Sequence, residues 1–322
     1  MPKRYTNRSP TRADGGLILS ADQIATAPAA VRTWLRKQAP LAQDLKRAVE
    51  RDELFIEYQP LVDGGDRRLR SMEALVRWRH PTGWIVPPAA FIPTAEITGL
   101  IVDIDRWVLR SVCQQIRAWQ DSGLCVPRVA VNMSAVGIET EGLQAYVEAA
   151  LAASDLVPGQ LGIEITETAL MSSIDRCDEI LQQLRKIGIT IAIDDFGIGH
   201  SCLAYLSRFR PDWLKIPVSF VSRVLTHDWD RVIVDTIMRL VRDIGVSVVA
   251  EGVETPEQNK HMLGLGCNVM QGFLFARPLR VEAAAEFLKL AASDASPPTN
   301  ARDKSLAAAL QLDRPPRETF LQ

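Results

Sequence analysis

The chain has 322 residues, of which 47% are hydrophobic and 24% charged, a balance that excludes general disorder and fibrous architectures. Its 37 basic and 39 acidic residues nearly cancel, and the net charge of −2 gives no electrostatic reason to expect nucleic acid or an anionic membrane as the main partner. The length suits one barrel-sized domain with extensions.

The cysteines indicate the redox environment. There are five, an odd number, and they are widely spaced with no C-x-x-C pair. This pattern disfavours a disulfide framework and a zinc site, and it favours a reducing cytoplasm. The sequence also shows no long uncharged apolar run and no pattern of a secretory signal. We therefore predict a cytoplasmic protein without a membrane partner.

The two ends of the chain lack the regular hydrophobic pattern of its centre. Residues 1–19 are polar and basic, which predicts a disordered tail, and residues 293–322 are predicted to form a mobile tail. Between residues 20 and 50, apolar residues recur at helical spacing after Ser20, a suitable cap. This predicts a helical lead-in of two helices separated by Pro40, and the lead-in is a candidate contact for a regulatory protein partner.

The region from 51 to 292 alternates short β-rich segments with helical ones, which is typical of an α/β fold with crossover helices. Eight strands are predicted, as in a (β/α)₈ barrel of the TIM type, in residues 54–60, 68–78, 128–134, 161–167, 189–195, 213–217, 246–251 and 269–275. Only the segment DGGDRR joins the first two strands, and a parallel crossover needs about a dozen residues. We therefore predict a barrel whose first strand is antiparallel to the second.

Polar side chains gather in or just after these strands, and barrel enzymes carry their reacting groups at the carboxyl ends of strands. They are Glu73, Asn132, Glu164, Glu167, Asp194, Asp195, Lys215 and Glu251. A single acidic residue after a strand is usually the cap of the next helix, and Asn132 alone also fits a turn. Six carboxylates on one rim are harder to explain as caps, because like charges repel across a low-dielectric mouth.

Such a rim requires compensating cations. Carboxylate and amide oxygens without histidine favour Mg²⁺ or Mn²⁺ over zinc or copper. The adjacent Asp194 and Asp195 are suited to bridge two ions, as in two-metal phosphoryl-transfer sites, so phosphodiester hydrolysis is the leading chemistry. Lys215 fits two roles about equally well: it could orient the attacking water, or it could form a plain salt bridge.

Seven motifs of this region resemble, in order, those of bacterial EAL domains. They are EALVRWRHP from Glu73 to Pro81, then VNMS, EITE, DDFGIG, LKI, AEGVE and QGF. The resemblance implies a barrel with a reversed first strand that binds the second messenger cyclic di-GMP. Active members hydrolyse one phosphodiester bond of this ligand with Mg²⁺ or Mn²⁺ and release linear pGpG. Members commonly form homodimers through helices near strands five and six.

The resemblance also implies roles for individual residues. The implied ligands of a first metal ion are Glu73, Asn132, Glu164 and Asp194, and those of a second are Asp194, Asp195 and Glu251. The implied catalytic residues are Glu73, Lys215, which would contact the nucleophilic water, and Glu251. The implied substrate contacts are Gln59, Arg77 and Gln271, with Arg77 on a phosphate. Glu167 would anchor the loop after the fifth predicted strand.

Three departures from the family pattern leave an alternative open. Pro217 stands where active members have Asp, the loop over 196–202 has lost two hydroxyl side chains and a Tyr, and Phe273 replaces a Tyr. The alternative is a weak or inactive domain that acts as a cyclic di-GMP receptor or a protein-interaction module. The phosphodiesterase is the preferred hypothesis, because degenerate members tend to lose the signature Glu or the Asp pair, and this chain has both.

Overall fold

The computed structural model describes residues 29–199 and 205–292, so both predicted tails and Ser20 lie outside the described residues. Its first element is helix α1 (Ala29–Glu50), which continues through Pro40. The prediction that Pro40 separates two helices is therefore wrong. An interior proline costs a helix about 3 kcal/mol, and packing offsets this cost, because Leu45 and Ala48 beyond it are fully buried in the main core.

The described strands form one sheet that closes on itself. They are β1 (Leu54–Asp63), β2 (Leu69–Arg79), β3 (Ile85–Val86), β4 (Arg128–Asn132), β5 (Leu161–Thr166), β6 (Thr190–Asp194), β7 (Trp213–Ile216), β8 (Ser247–Ala250) and β9 (Val269–Met270). The ring runs β1-β9-β8-β7-β6-β5-β4-β2 and closes by pairing β1 with β2, while β3 only extends β2 at one edge. β1 is antiparallel to both neighbours, and the other seven strands of the ring are parallel. The predicted barrel with a reversed first strand is confirmed.

Helices connect the strands. After α1 they are α2 (Pro88–Thr98), α3 (Ile101–Asp121), α4 (Ala135–Ile138), α5 (Leu143–Ala153), α6 (Glu167–Ser172), α7 (Ile174–Lys186), α8 (Leu206–Phe209), α9 (Val218–Val221), α10 (Asp228–Ile244), α11 (Pro256–Gly264) and α12 (Val281–Ala292). The longer ones bury one apolar face; in α3 this face includes Val108, Val112 and Ile116 at helical spacing. None of the helices that the structure describes is long and apolar enough to cross a membrane.

The last strand is shorter than predicted. β9 ends at Met270, so Gln271 lies just after the strand and not within it. The reason lies at Gly272, where a Cβ atom would stand 2.1 Å from the carbonyl oxygen of Val253. Only glycine allows this approach, and Val253 uses it to donate its N–H to the carbonyl of Gln271 at 3.0 Å. The chain leaves the barrel here and fixes Gln271 against the segment after β8.

The β1–β2 hairpin builds one wall of the barrel. Its register sets Gln59 opposite Glu73 and Phe55 opposite Arg77. Side chains alternate between the two faces of a strand, so Phe55 and Glu57 lie on the same face as Gln59. This face looks into the barrel, since Gln59 contacts Gln271 across the interior.

Candidate active site

A buried lysine stands at the centre of the predicted rim. Lys215, on β7, is 1% exposed, and its Nζ lies 2.6 Å from Glu164 Oε2 and 2.6 Å from Glu251 Oε1. The same atom lies 3.1 Å from Glu73 Oε2 and 3.5 Å from Asp194 Oδ2. These carboxylates come from β5, β2, the end of β6 and the residue after β8. The fold thus brings together acidic residues that lie far apart in the sequence.

Two amide side chains donate hydrogen bonds to Glu73, and a third contacts one of them. Asn132, the last residue of β4, donates from Nδ2 to Glu73 Oε1 at 2.7 Å, and Gln271 donates from Nε2 to Glu73 Oε2 at 2.8 Å. Gln271 Nε2 also reaches Gln59 Oε1 at 3.1 Å, and Gln59 donates in turn to the carbonyl of Ala276 at 3.3 Å. Both oxygens of Glu73 are therefore held.

The electrostatics of this cluster are unbalanced, since four carboxylates face one ammonium. Burial raises the pKa of Glu164 well above its usual range and that of Glu251 to about 8, and neighbouring carboxylates add to both shifts. Burial opposes the charge of Lys215, but the surrounding carboxylates raise its pKa well above normal. Burial also acts to raise the pKa of Glu73, yet Lys215 and the amide hydrogen bonds bring it below the usual value. The excess negative charge favours binding of a cation.

A second group of oxygens lies beside the lysine. Carboxylate atoms of Asp194, Asp195 and Glu251 lie within 4.8 Å of one another. Asp195 has a left-handed backbone with φ 54°, and its N–H donates to Asp194 Oδ1 at 2.8 Å. Consecutive strand residues point to opposite faces, and this turn lets both aspartates face one site. All three donors are hard oxygens, so the group fits a divalent cation such as Mg²⁺ or Mn²⁺.

A buried carboxylate is hydrogen-bonded to the loop that follows β6. Strand β6 corresponds to the fifth predicted strand. Glu167 opens α6, is 1% exposed, and accepts the N–H of Gly197 on Oε2 at 2.8 Å. Gly197 has φ 91°, a conformation that glycine adopts without strain. Glu167 therefore contacts the first half of this loop, and its role as a loop anchor stays a prediction. His200 and Cys202 lie outside the described residues.

Arg77 lies away from the carboxylate cluster, nearer the mouth of the barrel. Its Nε donates to Glu57 Oε2 at 2.8 Å, and its Nη1 donates to the carbonyl of Val76 at 3.0 Å. Sequence analysis missed Glu57, although the alternation along the first strand places it on the face of Gln59. The guanidinium of Arg77 is therefore held in place by a carboxylate of the neighbouring strand.

Pro217, the main departure from the family pattern, is buried directly after β7. It forms the N-cap of α9, and its carbonyl accepts the N–H groups of Phe220 and Val221 at 3.0 and 3.2 Å. Being two residues after Lys215, it falls on the same side of the chain. The proline suits the start of a helix locally, but it brings no charge to the cluster.

Fold and site together define a TIM-type barrel with a candidate divalent-metal centre at the ends of its strands. The family model of the EAL domain matches residues 42–278, and the chain belongs to this family. The likeness extends to named relatives. MucR of Pseudomonas aeruginosa, a bifunctional diguanylate cyclase/cyclic di-GMP phosphodiesterase, is 42% identical over 247 residues, covering 77% of this chain and 36% of MucR.

A second relative and a solved structure agree with this assignment. The cyclic di-GMP phosphodiesterase NbdA of the same organism is 39% identical over 262 residues, covering 81% of this chain and 34% of NbdA. The chain thus spans about a third of the length of these curated relatives. The structure of the MucR phosphodiesterase in complex with cyclic di-GMP has a TM-score of 0.73 and 42% identity, covering 76% of this chain and 99% of that one.

Proposed function

We propose that this chain is a cyclic di-GMP phosphodiesterase of the bacterial cytoplasm that takes part in second-messenger signalling. The observation that carries the proposal is the convergence of Glu73, Glu164, Asp194 and Glu251 on Lys215, with Asn132 and Gln271 on Glu73. The proposed reaction and substrate are those stated in the names of the similar proteins MucR and NbdA. The proposed barrel domain covers residues 51–292.

Two metal ions, Mg²⁺ or Mn²⁺, fit the donor set. In our assignment the ligands of the first are Glu73, Asn132, Glu164 and Asp194, and those of the second are Asp194, Asp195 and Glu251. Bound there, such ions lower the pKa of a water molecule and neutralise charge on a phosphate. Asp194 belongs to both sets, and its position at the end of β6 next to Asp195 suits this double role.

The remaining side chains position the reactants. Lys215 orients the attacking water, and Glu251 is the carboxylate toward which the water loses its proton. Arg77 holds a phosphate, because a guanidinium presents paired N–H donors to two oxygens. The water oxygen forms a bond to phosphorus while the bond from phosphorus to the 3′ oxygen breaks, and that oxygen takes up a proton. The product is linear pGpG, with a 5′ phosphate and a free 3′ hydroxyl.

The competing function is a receptor that binds cyclic di-GMP without hydrolysing it. Pro217 favours this alternative, because it adds no carboxylate beside Lys215 where active members carry Asp. A receptor would keep Gln59, Arg77 and Gln271 as ligand contacts and would use the acidic cluster only to hold ions.

Turnover of cyclic di-GMP separates the two functions. We expect purified protein with Mg²⁺ or Mn²⁺ to form linear pGpG, measured by chromatography. We expect Glu73→Ala to lower the rate on the order of a thousand-fold, because it removes a carboxylate that Lys215, Asn132 and Gln271 all contact. Binding without product would establish the receptor instead. In that case Pro217→Asp tests whether this position has silenced the site.

We also propose that the chain forms a homodimer through α10. The exposed side of this helix carries an apolar stripe in which Trp229 is 76% and Val232 is 51% exposed, and the half-buried Ile233 and Leu240, which also pack against the core, border it at helical spacing. Antiparallel pairing with a second copy would bury both stripes.

Replacing one aromatic residue of this stripe tests the dimer. We expect Trp229→Glu to shift the sedimentation coefficient from dimer to monomer, because it would bury a charge in the interface. Trp84→Glu is the matched control, since Trp84 is 71% exposed before β3, away from α10. A wild-type chain that sediments as a monomer at high concentration would contradict the proposal. A regulatory partner that binds the region 20–50, which includes the whole of α1, is a separate proposal.

A further inference from the structure

Three arginines gather on the barrel wall above the amide and carboxylate cluster. Arg77 and Arg79 come from β2, and Arg280 comes from the segment that precedes α12. Arg79 and Arg280 both stack on the ring of Phe55, with Cζ at 5.2 and 4.4 Å from the ring centroid. Sequence analysis did not select Arg280, because no family motif includes this residue.

A carboxylate links two of these guanidinium groups. Glu57 accepts Arg77 Nε on Oε2 at 2.8 Å, and its Oε1 lies 4.0 Å from Arg280 Nε. The side chains of Glu57 and Arg77 are each 16% exposed and that of Arg280 is 28% exposed. The link is thus partly desolvated, unlike a mobile ion pair on an open surface.

The strand register places this group relative to the cluster. Glu57 and Phe55 are two and four residues from Gln59 on the same face of β1, about 7 and 13 Å along the strand. A bridge in which Tyr58 donates its N–H to the carbonyl of Leu279 at 2.7 Å fixes the backbone beside Arg280. The arginines therefore lie on the way from Glu73 to the mouth of the barrel.

We propose that Arg280 is a further substrate-binding residue, which holds the phosphate of the cyclic dinucleotide that is not cleaved. This inference rests on the proposed function. Three guanidinium groups therefore lie on this wall, and a cyclic dinucleotide carries two negatively charged phosphodiester groups. A guanidinium that lies over an aromatic ring has its N–H donors in its own plane, from which they reach phosphate oxygens in pairs.

Calorimetric titration tests the proposal with two ligands. The ligands are cyclic di-GMP and linear GpG, which has a single phosphodiester. No divalent cation is added, so that the ligands are not hydrolysed, and chromatography after the titration verifies that they are intact. We expect Arg280→Ala to weaken the binding of cyclic di-GMP at least ten-fold and to change the binding of GpG less than two-fold. Arg280→Lys keeps the charge but loses the paired donors, so we expect an intermediate loss.

Arg67→Ala is the matched control. Arg67 also lies over an aromatic ring, with Cζ at 5.9 Å from the centroid of Phe275, but it belongs to the β1–β2 turn at the opposite end of the barrel. We expect it to bind both ligands as wild type does. Equal losses for the two ligands with Arg280→Ala, or no loss for either, would overturn the inference while the proposed function stands. A wild-type chain that binds neither ligand in this buffer and also forms no linear pGpG when Mg²⁺ is added would overturn both.

Discussion

Lys215→Met is expected to abolish measurable hydrolysis of cyclic di-GMP and to make the stability of the fold depend on divalent cations. Methionine has a similar length but no charge, so four carboxylates would share a buried site without an ammonium within 3.5 Å of each. Removing one partner of a buried ion pair costs about 3–5 kcal/mol. The variant should therefore unfold at a clearly lower temperature in a metal-free buffer.

Divalent cations should restore part of this loss. A cation that binds the folded chain and not the unfolded one raises the free energy of unfolding by linkage. We expect Mg²⁺ to raise the melting temperature of Lys215→Met more than that of wild type, because the four carboxylates of the variant have no lysine to balance their negative charge. Activity should not return, since the group that orients the water is gone.

Another lysine provides the control for this measurement. Lys289 Nζ also contacts a carboxylate, Glu286 Oε1 at 2.6 Å, but both side chains are more than half exposed. Lys289→Met should change the free energy of unfolding by less than about 1 kcal/mol, with or without Mg²⁺. If Lys215→Met melted like wild type in metal-free buffer, the view of Lys215 as the charge that holds the cluster together would be wrong.

The parts of the fold that could be predicted from sequence are those set by short-range rules. The segment DGGDRR is too short for a crossover, and this alone requires the β1–β2 hairpin, which the structure shows. The convergence of the acidic residues follows from the same logic, because parallel barrel strands end at one rim. Lys215 contacts four of these residues, which no local pattern indicates.

Tertiary packing decides the features that sequence analysis missed. Burial of Leu45 and Ala48 keeps α1 continuous through Pro40, and a close approach of Gly272 to Val253, which only glycine allows, accompanies the end of β9 after Met270. The contact of Glu57 with Arg280 joins residues more than 200 positions apart through the return of the chain along β1. Helix and strand propensities contain no information on such contacts.

Asp105→Asn is expected to stabilise the chain in a pH-dependent way. Asp105 of α3 is 7% exposed, and its Oδ2 accepts Ser134 Oγ at 2.6 Å and the N–H of Ser134 at 3.2 Å, two residues after Asn132. Gly137 packs so closely that a Cβ atom there would lie 2.0 Å from this oxygen. Burial raises the pKa of Asp105 to about 7; the hydrogen bonds from Ser134 lower it, and Glu96 adds to the rise.

The sign of this effect follows from proton linkage. Between about pH 4 and pH 7 the folded chain keeps a proton on Asp105 that the unfolded chain has released, so the free energy of unfolding falls as the pH rises. Below this window both states are protonated, and above it the loss is complete and constant. Asparagine resembles the protonated carboxyl, so Asp105→Asn should match wild type near pH 4 and exceed it by a few kcal/mol at pH 8.

Chemical denaturation at pH 4, 6 and 8 measures this difference. Asp103→Asn is the control, since Asp103 lies on the same helix but is exposed, and we expect it to change the free energy of unfolding by less than about 0.5 kcal/mol. A stability gain for Asp105→Asn that is equal at all three pH values would contradict this prediction, because it would show that folding does not change the protonation of Asp105 between pH 4 and pH 8. A gain that grows between pH 4 and pH 8 would show that the contact with Ser134 beside Asn132 is held against the cost of a buried charge.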